Sequence, residues 1–162
     1  MITMRHIMTE EEVEQAALEM FKEFDYKVIN GVDIAPDGSS PERQSWSDVV
    51  LVERLRDAID RIDENKHLPK EAKEQAVTRV LRTESHKVVM NNHAFHHLLV
   101  NGVDVEYRKD GRVVHDKVWL LDRKGKKNEF CAINQFTIIE GNANRRPAII
   151  LFINGLPVVV IE

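Results

Sequence analysis

Cysteine is nearly absent from this chain: Cys131 is the only one among 162 residues. An intrachain disulfide is thereby impossible, and a zinc site built from thiolates is not expected. Long apolar runs are also missing; none approaches the roughly eighteen residues that a membrane span requires. The opening MITMRHIMTEEE has no apolar centre of the signal-peptide kind, so nothing directs the chain to export. These absences predict a cytoplasmic protein with no membrane segment. A glycine-rich loop of the G-x-x-x-x-G-K-[ST] type does not occur, which excludes ATP binding by that route, and there is no H-E-x-x-H zinc motif. A basic surplus is lacking too: 23 Lys and Arg stand against 27 Asp and Glu, a net charge of −4. That balance is not the basic surface of a general nucleic-acid binder, but it leaves room for a local basic patch around an acidic centre.

What is present belongs to a globular protein. Apolar residues make up 43% of the chain and charged ones 31%, a balance that supports a core. The length suits one domain, residues 1–162. The first half reads as helical. Thr9 with Glu12 three residues on forms a capping box, and apolar residues follow at Val13, Ala16, Ala17, Met20, Phe21 and Phe24. A second helix is expected from Ser47 or Asp48, with Val52, Leu55, Ala58, Ile59 and Ile62 on one face. Pro69 suits the first turn of a third, carrying Ala72, Ala76, Val77, Val80 and Leu81. A fourth runs from about Ser85 to Val100 and stops at Asn101-Gly102.

After Gly102 the period changes to two. Val103, Val105 and Tyr107 alternate with polar residues, Asp110-Gly111 marks a turn, and 113–121 continues as a strand. Strand-like residues return from Cys131 to Ile139. Asn154-Gly155 between AIILFI and LPVVVI is the signature of a two-residue hairpin, since both residues tolerate positive φ. Runs this apolar predict strands buried on both faces under helices. Cys131 is expected in the core.

Chemistry is sought where charge sits oddly. With about 100° per residue and Val13 as zero, the first helix's apolar face centres near 20°, with Glu10 at about 60° and Glu14 at about 100°. Carboxylates inside or on the margin of a buried face need a partner, either a metal or a base. Glu10 also suits the helix dipole in the first turn, and Glu14 an arginine pair. Glu162 follows four β-branched residues at a strand end, either an active rim or an ordinary solvated terminus. His93, His96 and His97 have helical spacing for zinc but lack an obvious fourth ligand, so exposed helix histidines are the preferred reading. Arg123, Lys124, Lys126 and Lys127 form one basic cluster and Arg145-Arg146 another. Either is solvated surface or a phosphate contact.

Four stretches carry a resemblance: TEEEVEQAALEMFKEFDYKVI, NNHAFHHLLVNGVDVEY, NEFCAINQFTI with its Gln135, and NRRPAIILFINGLPVVVIE. Together they resemble the N-terminal nuclease region of the R (restriction) subunit of type I restriction-modification enzymes. The resemblance implies an α/β, restriction-endonuclease-like mixed sheet flanked by helices, with a helical N-terminal half and a C-terminal β-hairpin. It also implies a PD-(D/E)xK-type site cutting double-stranded DNA with Mg²⁺, alongside modification and specificity subunits. Carried across, Glu162 is the motif glutamate, Glu14 the helix acid with Glu10 behind it, and Ala148 stands where the family has aspartate. Gln135, Arg145 and Arg146 become supporting or DNA-contacting residues. The motif lysine belongs two residues beyond Glu162. The expectation is therefore a truncated piece of a longer chain, whose ATP-driven translocase lies elsewhere, and a site inactive as written. With the rest of the motif intact, Ala148 reads as a substitution or recent loss. The alternative from another class is a non-catalytic module on a nuclease scaffold that docks DNA or partner subunits.

Overall fold

The computed structural model describes residues 7–82 and 88–162 and divides the chain into two compact units. The first contains 1–47, 130–152 and 158–162, the second 48–129 and 153–157.

In the first unit, helix α1 (Glu10–Glu23) starts as the sequence predicts. The Thr9 hydroxyl accepts from the Glu12 amide at 3.2 Å, and the Glu12 carboxylate accepts from the Thr9 amide at 2.8 Å. Strands β1 (Lys27–Asn30) and β4 (Phe130–Asn134) pair in parallel, with Ile29 beside Ile133 and Asn30 beside Asn134. The four-stranded sheet has the order β1-β4-β7-β8, where β7 is Ile149–Ile153 and β8 is Leu156–Ile161. A two-residue turn joins β7 to β8, so that pair is antiparallel and the sheet is mixed. Leu18 of α1 packs on Ala132, Ile149 and Leu151, with Ala17, Phe21, Tyr26 and Ile161 around them. Phe136 and Phe152 meet at a tilt with ring centroids 5.4 Å apart, and the buried Arg43 guanidinium lies 3.9 Å from the Phe136 ring. A short hairpin, β5 (Ile138–Glu140) and β6 (Ala143–Arg145), leads into β7.

Two expectations are corrected here. The buried stripe of α1 is not the one centred near 20°: Ala17 and Phe21 of that face do pack against the core, but Val13, Met20 and Phe24 are 52, 56 and 66% exposed. Ala17, Leu18 and Phe21 face the sheet, at about 40°, 140° and 80° on the same count, so the true centre lies near 90°. Counting apolar residues cannot decide which side of one broad apolar face is buried; the position of the sheet does. Nor is β8 buried on both faces: β7 is buried from Ile149 to Phe152, whereas Val158, Val159 and Val160 are exposed. As the last strand in the sheet order, β8 has one neighbour and lies away from the covered centre.

The second unit is built on α2 (Val52–Arg61), a 3₁₀ turn at Asp63–Asn65, α3 (Lys70–Leu81), α4 (Val88–Asn101) and the antiparallel pair β2 (Val103–Lys109) and β3 (Arg112–Val118). Helix α2 starts later than the sequence suggests, after 48–51. Leu55, Ala58, Ile59, Ala72, Ala76 and Val77 are buried as expected, but Leu81 is 49% exposed. The expected start of the fourth helix near Ser85 lies outside the described residues. Val103, Val105 and Tyr107 point into the core and their polar neighbours out, so the period of two is realised.

Two asparagines tie this unit together. Asn65 accepts from the Trp119 amide and donates to the carbonyls of Ile59 and Trp119. Asn154, in the hairpin turn, is fully buried with φ of +53°. Its amide nitrogen donates to Leu120 O and Asn128 Oδ1, both at 2.9 Å, and its oxygen accepts from the Glu129 amide at 2.8 Å. Gly155 follows with φ of +78°, and a Cβ there would stand 2.4 Å from Leu51 O. The Asn-Gly pair is thus a buried junction as well as a turn. Among the described residues, no helix is long and apolar enough to cross a membrane.

Candidate functional site

The first unit gathers most of the residues singled out in the sequence. The capping box sets where α1 begins, which places Glu10 in its first turn and Glu14 one turn later on the same side. By the corrected stripe, Glu14 is central to the buried face rather than marginal. It is half-buried, and its carboxylate is received by β4. Asn134 Nδ2 donates to Glu14 Oε1 at 2.8 Å, and Gln135 Nε2 lies 3.2 Å from each carboxylate oxygen.

Glu10, Arg145, Arg146, Pro147, Ala148 and Glu162 line one cavity of about 370 Å³. The N-terminal turn of α1, the exit of β6, the entrance of β7 and the end of β8 therefore converge there. Glu10, Glu162, Arg145 and Arg146 are exposed, and Ala148 is half-buried. Glu14 is not among the lining residues; it stands four positions along the helix from Glu10, which is.

The carboxylate shell of a Mg²⁺ ion, which the family resemblance implies, is tested by these donors. Glu10 and Glu162 offer oxygens, Ala148 offers none, and Glu14 is engaged by the amides of Asn134 and Gln135. Among the described residues, no group of three or more His, Cys, Asp or Glu is placed to hold a metal ion. The described residues therefore do not supply the carboxylate shell that the ion needs. The same finding covers His93, His96 and His97, which are exposed on α4.

Three features of this site escape sequence reading. Strand β1, in a half of the chain that reads as helical, is what brings Gly31 beside β4. Asn134 is invisible without the β1–β4 register, because its role depends on where α1 lands. Gly31 has one signal, its identity, and a lone glycine by itself marks no more than a loop. In the structure its amide donates to Asn134 O at 2.8 Å, and a Cβ on it would lie 2.5 Å from that oxygen and 2.8 Å from Gln135 C and O. Close approach, not backbone freedom, demands glycine here. Gly31→Ala is expected to lose about 1–3 kcal/mol of stability through overpacking, measured by urea denaturation. The loss should come with altered amide signals from Asn134 and Gln135; unchanged signals and stability would remove the steric argument.

The other basic cluster, in the second unit, is organised around an acid. Asp122 accepts from the amides of Lys124, Lys126 and Lys127. Burial opposes its charge, but these donors outweigh burial and hold its carboxyl below the usual range. Arg123 stacks on Trp119 at 4.0 Å, and Lys127 Nζ reaches Asp63 at 2.6 Å. The backbone of this loop is thus ordered around Asp122, while the Lys124 side chain remains exposed. Hydrogen bonds from Lys127 and then Lys66 lower the Asp63 carboxyl from 3.8 to about 2. A depressed carboxyl pKa contributes stability that is complete above the unfolded value and lost as pH falls through the folded one. The Asp63 contribution should therefore fade between pH 4 and 2. Asp63→Asn should flatten the stability profile over that window in denaturation experiments, and an unchanged slope would show the pairs inert.

Residues 7–162 match the family described as type I restriction enzyme R protein N terminus. The type I restriction enzyme HindI endonuclease subunit of Haemophilus influenzae is 33% identical over 158 residues, which are 96% of this chain and 15% of that protein. A "Putative type I restriction enzyme MjaIXP endonuclease subunit" of Methanocaldococcus jannaschii is 32% identical over 154 residues, 93% of this chain and 14% of that protein. The chain thus spans about one-seventh of the length of these relatives.

Proposed function

Because this chain belongs to the family of type I restriction enzyme R protein N termini, we propose that it is the framework of a Mg²⁺-dependent DNA endonuclease whose metal shell is incomplete at Ala148. The observation that carries the reading is the single cavity uniting Glu10, Ala148 and Glu162 with Arg145 and Arg146. Acidic side chains beside paired arginines suit a phosphodiester: guanidinium groups hold phosphate oxygens, and carboxylates hold the cation that neutralises phosphate charge. The lining of this cavity lacks one carboxylate, so the chain's own residues can bind and orient a backbone phosphate without providing a complete cation site. The larger activity, in which ATP-driven translocation and the modification and specificity subunits take part, belongs to the same proposal.

A second reading is favoured by Ala148 itself: a nuclease scaffold retained to dock DNA or partner subunits. The two separate by experiment. Both arginines contact phosphate in the first reading, so Arg145→Ala with Arg146→Ala should weaken duplex binding in fluorescence anisotropy at low salt. The double variant should also make the slope of log affinity against log salt shallower by about two. A duplex affinity indifferent to both arginines would sink the proposed phosphate contact. Binding that is retained through Glu162→Ala, with no cleavage recovered by restoring aspartate at 148, would leave the docking reading in its place.

A further inference from the structure

Among the described residues, the partners of the Glu14 carboxylate are neutral amides: Asn134 at 2.8 Å and Gln135 at 3.2 Å from each oxygen. Amide donors satisfy a half-buried carboxylate without cancelling its charge, unlike a lysine or arginine. Asn134 is itself only 8% exposed, so its side chain has little solvent to turn to.

Two backbone features hold this arrangement. Gln135 has φ of +53°, in the left-handed region that a side chain with a Cβ seldom adopts and that persists where surroundings impose it. The left-handed residue ends β4 and keeps consecutive side chains, Asn134 and Gln135, on one carboxylate, where a regular strand would send them to opposite faces. Gly31, with no Cβ, lets the end of β1 approach the Asn134 and Gln135 carbonyls closely. Phe136, buried between Phe152 and Arg43, anchors the chain just beyond.

We infer that Asn134 and Gln135 are positioning residues, a two-amide clamp that fixes the Glu14 carboxylate in one orientation, one helical turn from the cavity-lining Glu10. The purpose of the clamp rests on the nuclease reading, its existence does not. Held by both amides, the carboxylate has already given up much of its side-chain freedom in the folded chain.

The test has an arm that needs no metal. In the chain as it stands, Asn134→Ala should move the Glu14 carboxyl ¹³C resonance and average its side-chain couplings, while signals from the second unit stay in place. Gln135→Ala should give a smaller change of the same kind and serves if Asn134→Ala folds poorly. Asn134→Asp should lower the melting temperature by setting two acceptors against each other. Adding Glu14→Gln should restore most of that loss, because donor and acceptor have exchanged places. In the second arm, a chain carrying Ala148→Asp and a lysine two residues past Glu162 is titrated with Mn²⁺ by electron paramagnetic resonance. Asn134→Ala there should weaken Mn²⁺ binding about tenfold or more.

An unmoved Glu14 resonance in both alanine variants, or strictly additive effects in the Asp/Gln exchange, would overturn the clamp. If the Ala148→Asp chain binds no Mn²⁺ at all, the metal reading falls, and the carboxyl resonance and the exchange still decide the clamp.

Discussion

Ala148→Asp, in a chain lengthened by two residues so that a lysine follows Glu162 at the second position, is expected to gain Mg²⁺-dependent cleavage of plasmid DNA. The parent chain is expected to show none. The argument begins with geometry. Ala148 lines the same cavity as Glu10 and Glu162, and an aspartate adds only a short carboxylate to a half-buried position. Metal–oxygen distances for Mg²⁺ are about 2.0–2.1 Å, so carboxylates around one small cavity can reach a common ion. Supplying one well-placed electrostatic group changes a rate by roughly 10²–10³, and a gain of that order or more is the expected readout. Glu162→Ala in the same background should abolish it. Mn²⁺ bound by the restored chain and not by the parent is the accompanying signature. A restored chain that binds no ion and leaves supercoiled DNA intact would end the nuclease reading of this site.

The second large effect is on stability. Asn154→Ala is expected to lower unfolding free energy by about 3–5 kcal/mol, since each buried group left without its hydrogen bond costs roughly 1–3 kcal/mol. Three such contacts end at its side chain, to Leu120 O, Asn128 Oδ1 and the Glu129 amide. Alanine would also have to hold φ of +53°, at an expense of about 1–2 kcal/mol. Asn154→Gly removes that strain but not the missing bonds, so its loss should be smaller than alanine's by about that amount. Asn154→Asp keeps the acceptor for Glu129 and turns a charged oxygen toward two other acceptors, and should fall below asparagine at neutral pH. Equilibrium urea denaturation separates the three. A loss under about 1 kcal/mol for alanine would reduce Asn154 to an ordinary turn residue.

Much of the molecule follows from local pattern. The capping box at Thr9 and Glu12, the apolar spacing of α2 and α3, the alternation of β2 and the Asn-Gly turn are encoded within a few residues. Each rests on backbone sterics or on burial of one periodic face, so each can be read without knowing its neighbours. The motif stretches do the same for Glu10, Ala148 and Glu162, which meet at one cavity.

Where elements compete for the same neighbours, pattern is insufficient. Helix α1 has one broad apolar face, and only the presence of Ala132, Ile149 and Leu151 selects its Ala17, Leu18 and Phe21 side over Val13, Met20 and Phe24. Strand β8 is as apolar as β7, yet its place at the end of the sheet order leaves three valines exposed. Asn134 is one asparagine among several until β1 pairs with β4 and Gly31 admits the close approach that sets it against Glu14. The sequence by itself determined the family and which residues stand at positions 10, 14, 148 and 162, because those are identities at positions. Only tertiary structure decided which side of α1 is buried, what holds Glu14, and that Asn154 is a junction, because those depend on contacts between residues far apart in the chain.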